Sequence, residues 1–126
     1  MRLQTPLGRV RGLGSAKEGT GHFISQRLSA IALIPLLLWF VASIISLAGK
    51  DFAVVSAWVK SPFVTVTLIL LILSAVYHAV LGLQIVIEDY FHVEYSKLIM
   101  LIIIKFLAVI IAVAGVVAVL RIALGG

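Results

Sequence analysis

The chain contains no cysteine and little charge. Without cysteine it forms no disulfide and offers no thiolate ligand to zinc or to an iron–sulfur cluster. Charged residues make up only 12% of its 126 residues, against 63% hydrophobic residues, and its mean hydropathy is +1.25. Such a chain has too little polar surface to enclose a soluble core, so the composition predicts an integral membrane protein. Any redox chemistry must then use histidine or a centre held by a partner chain.

Three apolar stretches are each long enough to cross a bilayer, which takes roughly 20 residues of helix. Leu28 to Gly49 and Ser61 to Ile87 contain no charged residue, and Leu98 to Leu120 contains only Lys105. Strands of a membrane barrel would alternate apolar and polar residues, and these stretches do not. The sequence therefore predicts an all-α membrane protein with three transmembrane helices. Their expected limits are about residues 28–49, 62–88 and 98–121.

Basic residues are concentrated before the first apolar stretch. Residues 1–27 contain half of the 10 Lys and Arg residues, whereas the next polar segment has only Lys50 and Lys60 beside Asp51. Because positive residues favour the cytoplasmic side, we expect a cytoplasmic N-terminal arm. Residues 28–126 then form the membrane anchor, with a periplasmic C-terminus in a bacterial inner membrane. The net charge of +5 is a topology signal, and nothing in the pattern indicates a nucleic-acid partner.

The segment between the first two stretches carries helix stop and start signals. Gly49 predicts the end of the first helix, and Pro62 is well placed at the first turn of the next one. Between them, the residues FAVVSAWV are expected to form a short interfacial piece with Trp58 at the level of the lipid headgroups.

His78 lies near the middle of the second apolar stretch, where an ionisable side chain is costly and usually functional. Neutral imidazole is the usual axial ligand of haem, so haem ligation is one interpretation. A histidine that only hydrogen-bonds between packed helices is the other. Ser74 and Gly82 lie within about 40° of His78 on a helix and leave room for a neighbouring helix or a flat macrocycle. As the single deep histidine, His78 would need a second haem ligand from a partner.

Asp89 and Tyr90 follow at the end of the same stretch. Asp89 lies about 16 Å along a helix from His78 and only about 20° around it, so the two share a face. A tyrosine hydroxyl can donate a hydrogen bond to a quinone carbonyl, and a carboxylate can relay the protons that quinone reduction consumes. Acidic and aromatic residues also mark the interface belt of membrane proteins, so simple anchoring is the alternative.

The string HAVLGLQIVIEDY, from His78 to Tyr90, resembles the His-Ala, Gly and Asp-Tyr pattern in the small membrane anchor subunit of succinate dehydrogenase, or complex II. The opening TPLGRVRGLGSAKEGTGHFISQRLSAIALIPL is similar to the arm and first helix of alphaproteobacterial members. The resemblance covers essentially the whole chain. Gln26 and Ala30 depart from the Ser-x-x-His-Arg-x-Ser-Gly motif of the companion cytochrome b subunit, which favours the smaller anchor subunit.

The resemblance implies specific roles for a few residues. His78 matches the axial ligand to the iron of haem b, whose second ligand comes from the cytochrome b anchor subunit. Tyr90 and Asp89 match residues of the ubiquinone site. Arg27 matches an arginine near the haem propionates and the quinone pocket, although a basic residue here also fits an ordinary snorkelling role. His22 matches a frequent but less specific histidine before the first helix.

The resemblance also implies a place in the respiratory chain and the tricarboxylic acid cycle. The flavoprotein and iron–sulfur subunits would oxidise succinate, and this chain, without a succinate site of its own, would dock them to the membrane lipid. An anchor of quinol:fumarate reductase and a haem-free structural anchor remain as alternatives. A transporter is disfavoured because paired intramembrane charges and repeated halves are absent from the sequence. Lys105 is expected to snorkel to the headgroups, with a haem propionate or lipid contact as the alternative.

Overall fold

The computed structural model describes residues 6–7 and 17–125 of the chain. Predictions that fall on residues 1–5, 8–16 and 126 lie outside the described residues. Four helices fill the long described segment, with no strand among the residues described. They are α1 (Lys17–Leu47), α2 (Phe52–Lys60), α3 (Pro62–Tyr90) and α4 (Glu94–Gly125).

Three of these helices are long and apolar enough to cross a membrane: Gly19–Leu47 within α1, all of α3 and all of α4. Their lengths of 29, 29 and 32 residues correspond to roughly 44 to 48 Å of helix, more than the hydrocarbon thickness of about 30 Å. The prediction of an all-α protein with three potential membrane-spanning helices is confirmed. The helices also extend past the apolar limits, because α1 already begins at Lys17 and α4 at Glu94.

Local sequence signals set the turns around α2. Gly49 has a positive φ of 78°, which a residue without Cβ adopts most readily, and the Lys50 N–H donates to the Leu47 carbonyl at 3.0 Å. The Asp51 side chain accepts a hydrogen bond from the Val54 N–H at 3.1 Å and caps α2. Pro62 occupies the first turn of α3. The predicted helix stop and start are both confirmed.

An aromatic and aliphatic core joins α2 to the ends of the three long helices. Val59, Val64 and Leu68 are buried there, with the partly buried rings of Trp39 and Trp58 packed against them. The two indoles stack with centroids 5.7 Å apart. This core therefore fixes one end of the bundle, and the short segment predicted at the interface forms the helix that closes it.

The middle long helix, α3, packs against both α1 and α4. A Cβ added at Gly115 of α4 would lie 3.2 Å from Cγ2 of Ile72 of α3, so these two helices approach closely through a small residue. In α4 no residue is fully buried, and most of its large apolar side chains are exposed. The outer surface of the bundle is thus apolar, as expected of a surface that faces lipid or other membrane helices.

Candidate functional site

His78 lies in α3 at the place where this helix meets α1. Its Nδ1 atom is 2.8 Å from Oγ of Ser29. This hydrogen bond links α3 to α1 through two residues that are 49 positions apart in the chain. The Ser29 hydroxyl also donates to the Gln26 carbonyl at 3.0 Å. Ser29 is only 8% exposed and His78 is half-buried. The imidazole is therefore oriented by a buried side chain from the neighbouring helix.

A polar row on α1 faces this contact. His22, Gln26 and Ser29 are spaced by four and three residues, with Leu33 four further on, so all four lie on one face of the helix. Ser29 and Leu33 are buried. The His22 Nε2 and Gln26 Oε1 atoms are buried without a hydrogen-bond partner among the described residues. The sequence signal for this row is its spacing, a helical repeat of polar residues entering an otherwise apolar helix.

Gly82 faces the same row. A Cβ added at Gly82 would lie 3.9 Å from Nε2 of Gln26, an ordinary van der Waals distance. The approach of α1 to α3 at this point therefore has room for a side chain as small as alanine, and both uses predicted for Gly82 from the sequence stay predictions. Ser29, which completes the contact with His78, was not identified from the sequence, because its significance depends on how the two helices cross.

Asp89 and Tyr90 form the last turn of α3 and are both exposed. Ile87 is 3% exposed, whereas Tyr90 is 78% exposed. By helix geometry Asp89 lies about 20° around α3 from His78, while Tyr90 lies about 120° from it. The carboxylate therefore shares the face of the histidine, and the phenol projects to a different side at the end of the helix.

Arg27 lies on the other side of α1 from the contact with His78. Its guanidinium sits over the Phe23 ring at 4.1 Å from the centroid, and its position is about 160° around the helix from Ser29. The side chain is exposed and open to groups outside this chain. Lys105 is exposed on α4, where it lines a shallow surface groove together with Tyr77.

The candidate residues are thus of two kinds: a hydrogen-bonded pair between two helices, and three side chains that are exposed on the surface of this chain. Ser29 and His78 are brought together between α1 and α3. Asp89 and Tyr90 are exposed at the end of α3, and Arg27 is exposed about three turns into α1. Among the residues described here, no group of three or more His, Asp or Glu side chains is positioned to hold a bare metal ion. A single oriented imidazole suits a metal that brings most of its other ligands with it.

These features define a class: a small helical integral membrane protein with one oriented intramembrane histidine and polar residues at the ends of its helices. Residues 1–112 match the family model for the succinate dehydrogenase/fumarate reductase transmembrane subunit. The chain belongs to this family. Membership implies partner subunits, since the family consists of membrane subunits of larger enzymes.

Individual relatives are consistent with the family match. The chain is 32% identical over 111 residues to the succinate dehydrogenase hydrophobic membrane anchor subunit of Rickettsia bellii, covering 88% of this chain and 89% of the relative. The Rickettsia conorii subunit of the same name is 34% identical over 113 residues, covering 87% and 88%. That of Paracoccus denitrificans is 36% identical over 94 residues, covering 72% and 70%. The resemblance seen in the sequence is confirmed.

Proposed function

We propose that the chain is the hydrophobic membrane anchor subunit of a succinate:quinone oxidoreductase. In this role it docks the flavoprotein and iron–sulfur subunits, shares haem b with a cytochrome b anchor subunit and forms part of the ubiquinone site. The observation that carries the proposal is His78, oriented by Ser29 in the middle of an apolar helix. The chain itself has no role in binding succinate. Its N-terminus is cytoplasmic and its C-terminus periplasmic in the inner membrane.

The residues present fit a haem better than a bare metal ion. His78 uses Nδ1 for the contact with Ser29, which leaves Nε2 as the nitrogen that would bind a haem iron. A porphyrin brings most of the iron ligands itself, so this chain would need to contribute only His78, with the cytochrome b subunit contributing the other protein ligand. When bound, haem b supplies a one-electron redox centre within the membrane. His78 would hold it, with its imidazole oriented by Ser29.

The end of α3 supports the quinone part of the proposal. Tyr90 is 78% exposed and directs a phenol to the membrane surface, where its hydroxyl donates a hydrogen bond to a quinone carbonyl. Asp89 is exposed beside it and passes protons from the aqueous side to the reduced quinone. Because both side chains are open in this chain, the remaining walls of the pocket come from the partner subunits.

Arg27 is proposed to bind an anionic or polar group of the haem or of the quinone pocket. A guanidinium makes two parallel hydrogen bonds to a carboxylate, which suits either a haem propionate or a polar group of the quinone pocket. What supports this role is the match to the family pattern together with the exposed position of Arg27 on α1.

A quinol:fumarate reductase anchor is the second candidate, since the description of the matching family covers both enzymes. The relatives from Rickettsia and Paracoccus are succinate dehydrogenase subunits, which favours succinate oxidation as the physiological direction. A haem-free structural anchor would dock the same partners and differ only in its lack of pigment.

Deleting the gene for this chain tests the docking role. We expect succinate dehydrogenase activity, measured with a water-soluble electron acceptor, to move from the membrane to the soluble fraction, because the catalytic subunits lose their apolar attachment. Succinate-dependent ubiquinone reduction by the membranes should fall to background, and the wild-type gene should restore both. Unchanged ubiquinone-linked succinate oxidation in the deletion strain would contradict the proposal, and a selective loss of quinol-dependent fumarate reduction would favour the second candidate.

A further inference from the structure

The hydrogen bonds of Ser29 determine which nitrogen of His78 carries the proton. A serine hydroxyl has one hydrogen to donate. The Gln26 carbonyl, 3.0 Å away, is one acceptor for that hydrogen. With the hydrogen there, Ser29 Oγ accepts in its 2.8 Å contact with His78 Nδ1, a distance within the range of N–H···O hydrogen bonds. This arrangement satisfies both contacts of Ser29 at once, whereas a hydroxyl that donates to Nδ1 gives up the Gln26 carbonyl. It puts the N–H of the imidazole on Nδ1.

This tautomer would leave Nε2 free to bind a haem iron. A neutral imidazole with its proton on Nδ1 has a lone pair on Nε2. The contact is shielded from water, because Ser29 is buried and the flanking Leu33 and Leu81 are buried too. In such surroundings a hydrogen-bond chain is stronger than in water, and its members polarise one another. The chain runs from His78 through Ser29 to the backbone of α1.

We propose that Ser29 is the positioning residue for His78: it fixes the Nδ1–H tautomer, directs Nε2 to the haem iron and strengthens the imidazole as an electron donor. This inference rests on the proposed haem function. Histidine ligands of metals generally donate their other N–H to a partner, and loss of that partner typically weakens metal binding about 10- to 100-fold. Here the partner is a hydroxyl from a different helix, so the packing of α1 against α3 also tunes the haem.

The proposal predicts the direction of a potential shift. Electron donation from an imidazole whose Nδ1–H is hydrogen-bonded stabilises ferric more than ferrous iron, so removing the acceptor should raise the haem midpoint potential. Each tenfold loss of ferric relative to ferrous affinity corresponds to a rise of about 59 mV in a one-electron couple.

Ser29→Ala in the complete complex tests the inference. We expect a higher haem midpoint potential in a redox titration and faster loss of haem to an excess of a haem-accepting protein, by roughly 10-fold or more. Ser29→Thr should restore both values, because a threonine hydroxyl on a helix can make the same bond to a preceding carbonyl. Ser43→Ala is the matched control, since the Ser43 hydroxyl donates to the Trp39 carbonyl at 2.8 Å in the same helix.

The possible failures are distinguishable. If the wild-type complex holds no haem, the proposed function itself is wrong. If the wild type holds haem and Ser29→Ala matches Ser43→Ala in potential and haem retention, the role of Ser29 is overturned. If Ser29→Ala fails to assemble, nitrogen-15 NMR of histidine-labelled, haem-free wild-type chain in lipid decides: a protonated Nδ1 on His78 supports the inference, and a protonated Nε2 overturns it.

Discussion

Replacing His78 by alanine is expected to abolish the b-type haem spectrum of the assembled complex. Alanine has no donor atom for iron, and the substitution also removes the 2.8 Å contact between the imidazole and the Ser29 hydroxyl. Loss of a direct ligand should exceed the roughly 10- to 100-fold effect typical of losing a residue that only orients one. The measurement is the reduced-minus-oxidised visible spectrum of the purified complex, normalised to covalently or tightly bound flavin.

His92→Ala is the matched control for this experiment. His92 is exposed and lies two residues after the end of α3, outside its apolar part, so its removal should leave the haem bands in place. A His78→Ala complex with the native haem spectrum would show that His78 is not the ligand. It would leave this histidine as a packing residue between α1 and α3.

The second large effect is expected at the other end of α3. Tyr90→Phe keeps the aromatic ring, which is 78% exposed, and removes only the hydroxyl. The loss of one hydrogen bond to the quinone, worth about 1 to 1.5 kcal/mol, should lower the catalytic efficiency of ubiquinone reduction roughly 10-fold. Haem content and subunit assembly should persist. The measurement is succinate-dependent reduction of a short-chain ubiquinone, compared with succinate oxidation by a water-soluble acceptor.

Tyr95→Phe provides the matched control, because Tyr95 is similarly exposed, at 76%, in the first turn of α4. It should change neither activity. Normal ubiquinone reduction in Tyr90→Phe would remove Tyr90 from the quinone site. Loss of haem in this variant with normal quinone kinetics would reverse the roles assigned to the two ends of α3.

The spanning helices were predictable because hydropathy alone determines which segments enter a bilayer. The ends of the helices were harder to predict than the spanning segments. Gly49 and Pro62 carry explicit stop and start chemistry, and both predicted turns are present. The start of α1 at Lys17 lies eleven residues before the first apolar stretch, and Gly19 and Gly21 lower the helix propensity there. Its helical form depends on continuity with the long apolar helix that follows.

The candidate site, like the fold, was predictable from the sequence only in part. His78 was identifiable because an ionisable residue is rare and costly at membrane depth. Its partner Ser29 was not, because hydropathy and periodicity describe one helix at a time and say nothing about the register in which α1 crosses α3. The polar spacing of His22, Gln26 and Ser29 marks the correct face of α1, but only the packed structure pairs that face with His78.

We propose that this chain joins succinate oxidation to a shared haem and to ubiquinone in the membrane. The most direct measurement is a visible spectrum of the complex purified through a tag on this chain, recorded before and after the addition of succinate. We expect the flavoprotein, iron–sulfur and cytochrome b subunits to co-purify, and we expect succinate to reduce a b-type haem that ubiquinone then reoxidises. A complex that oxidises succinate but shows no b-type bands would contradict it.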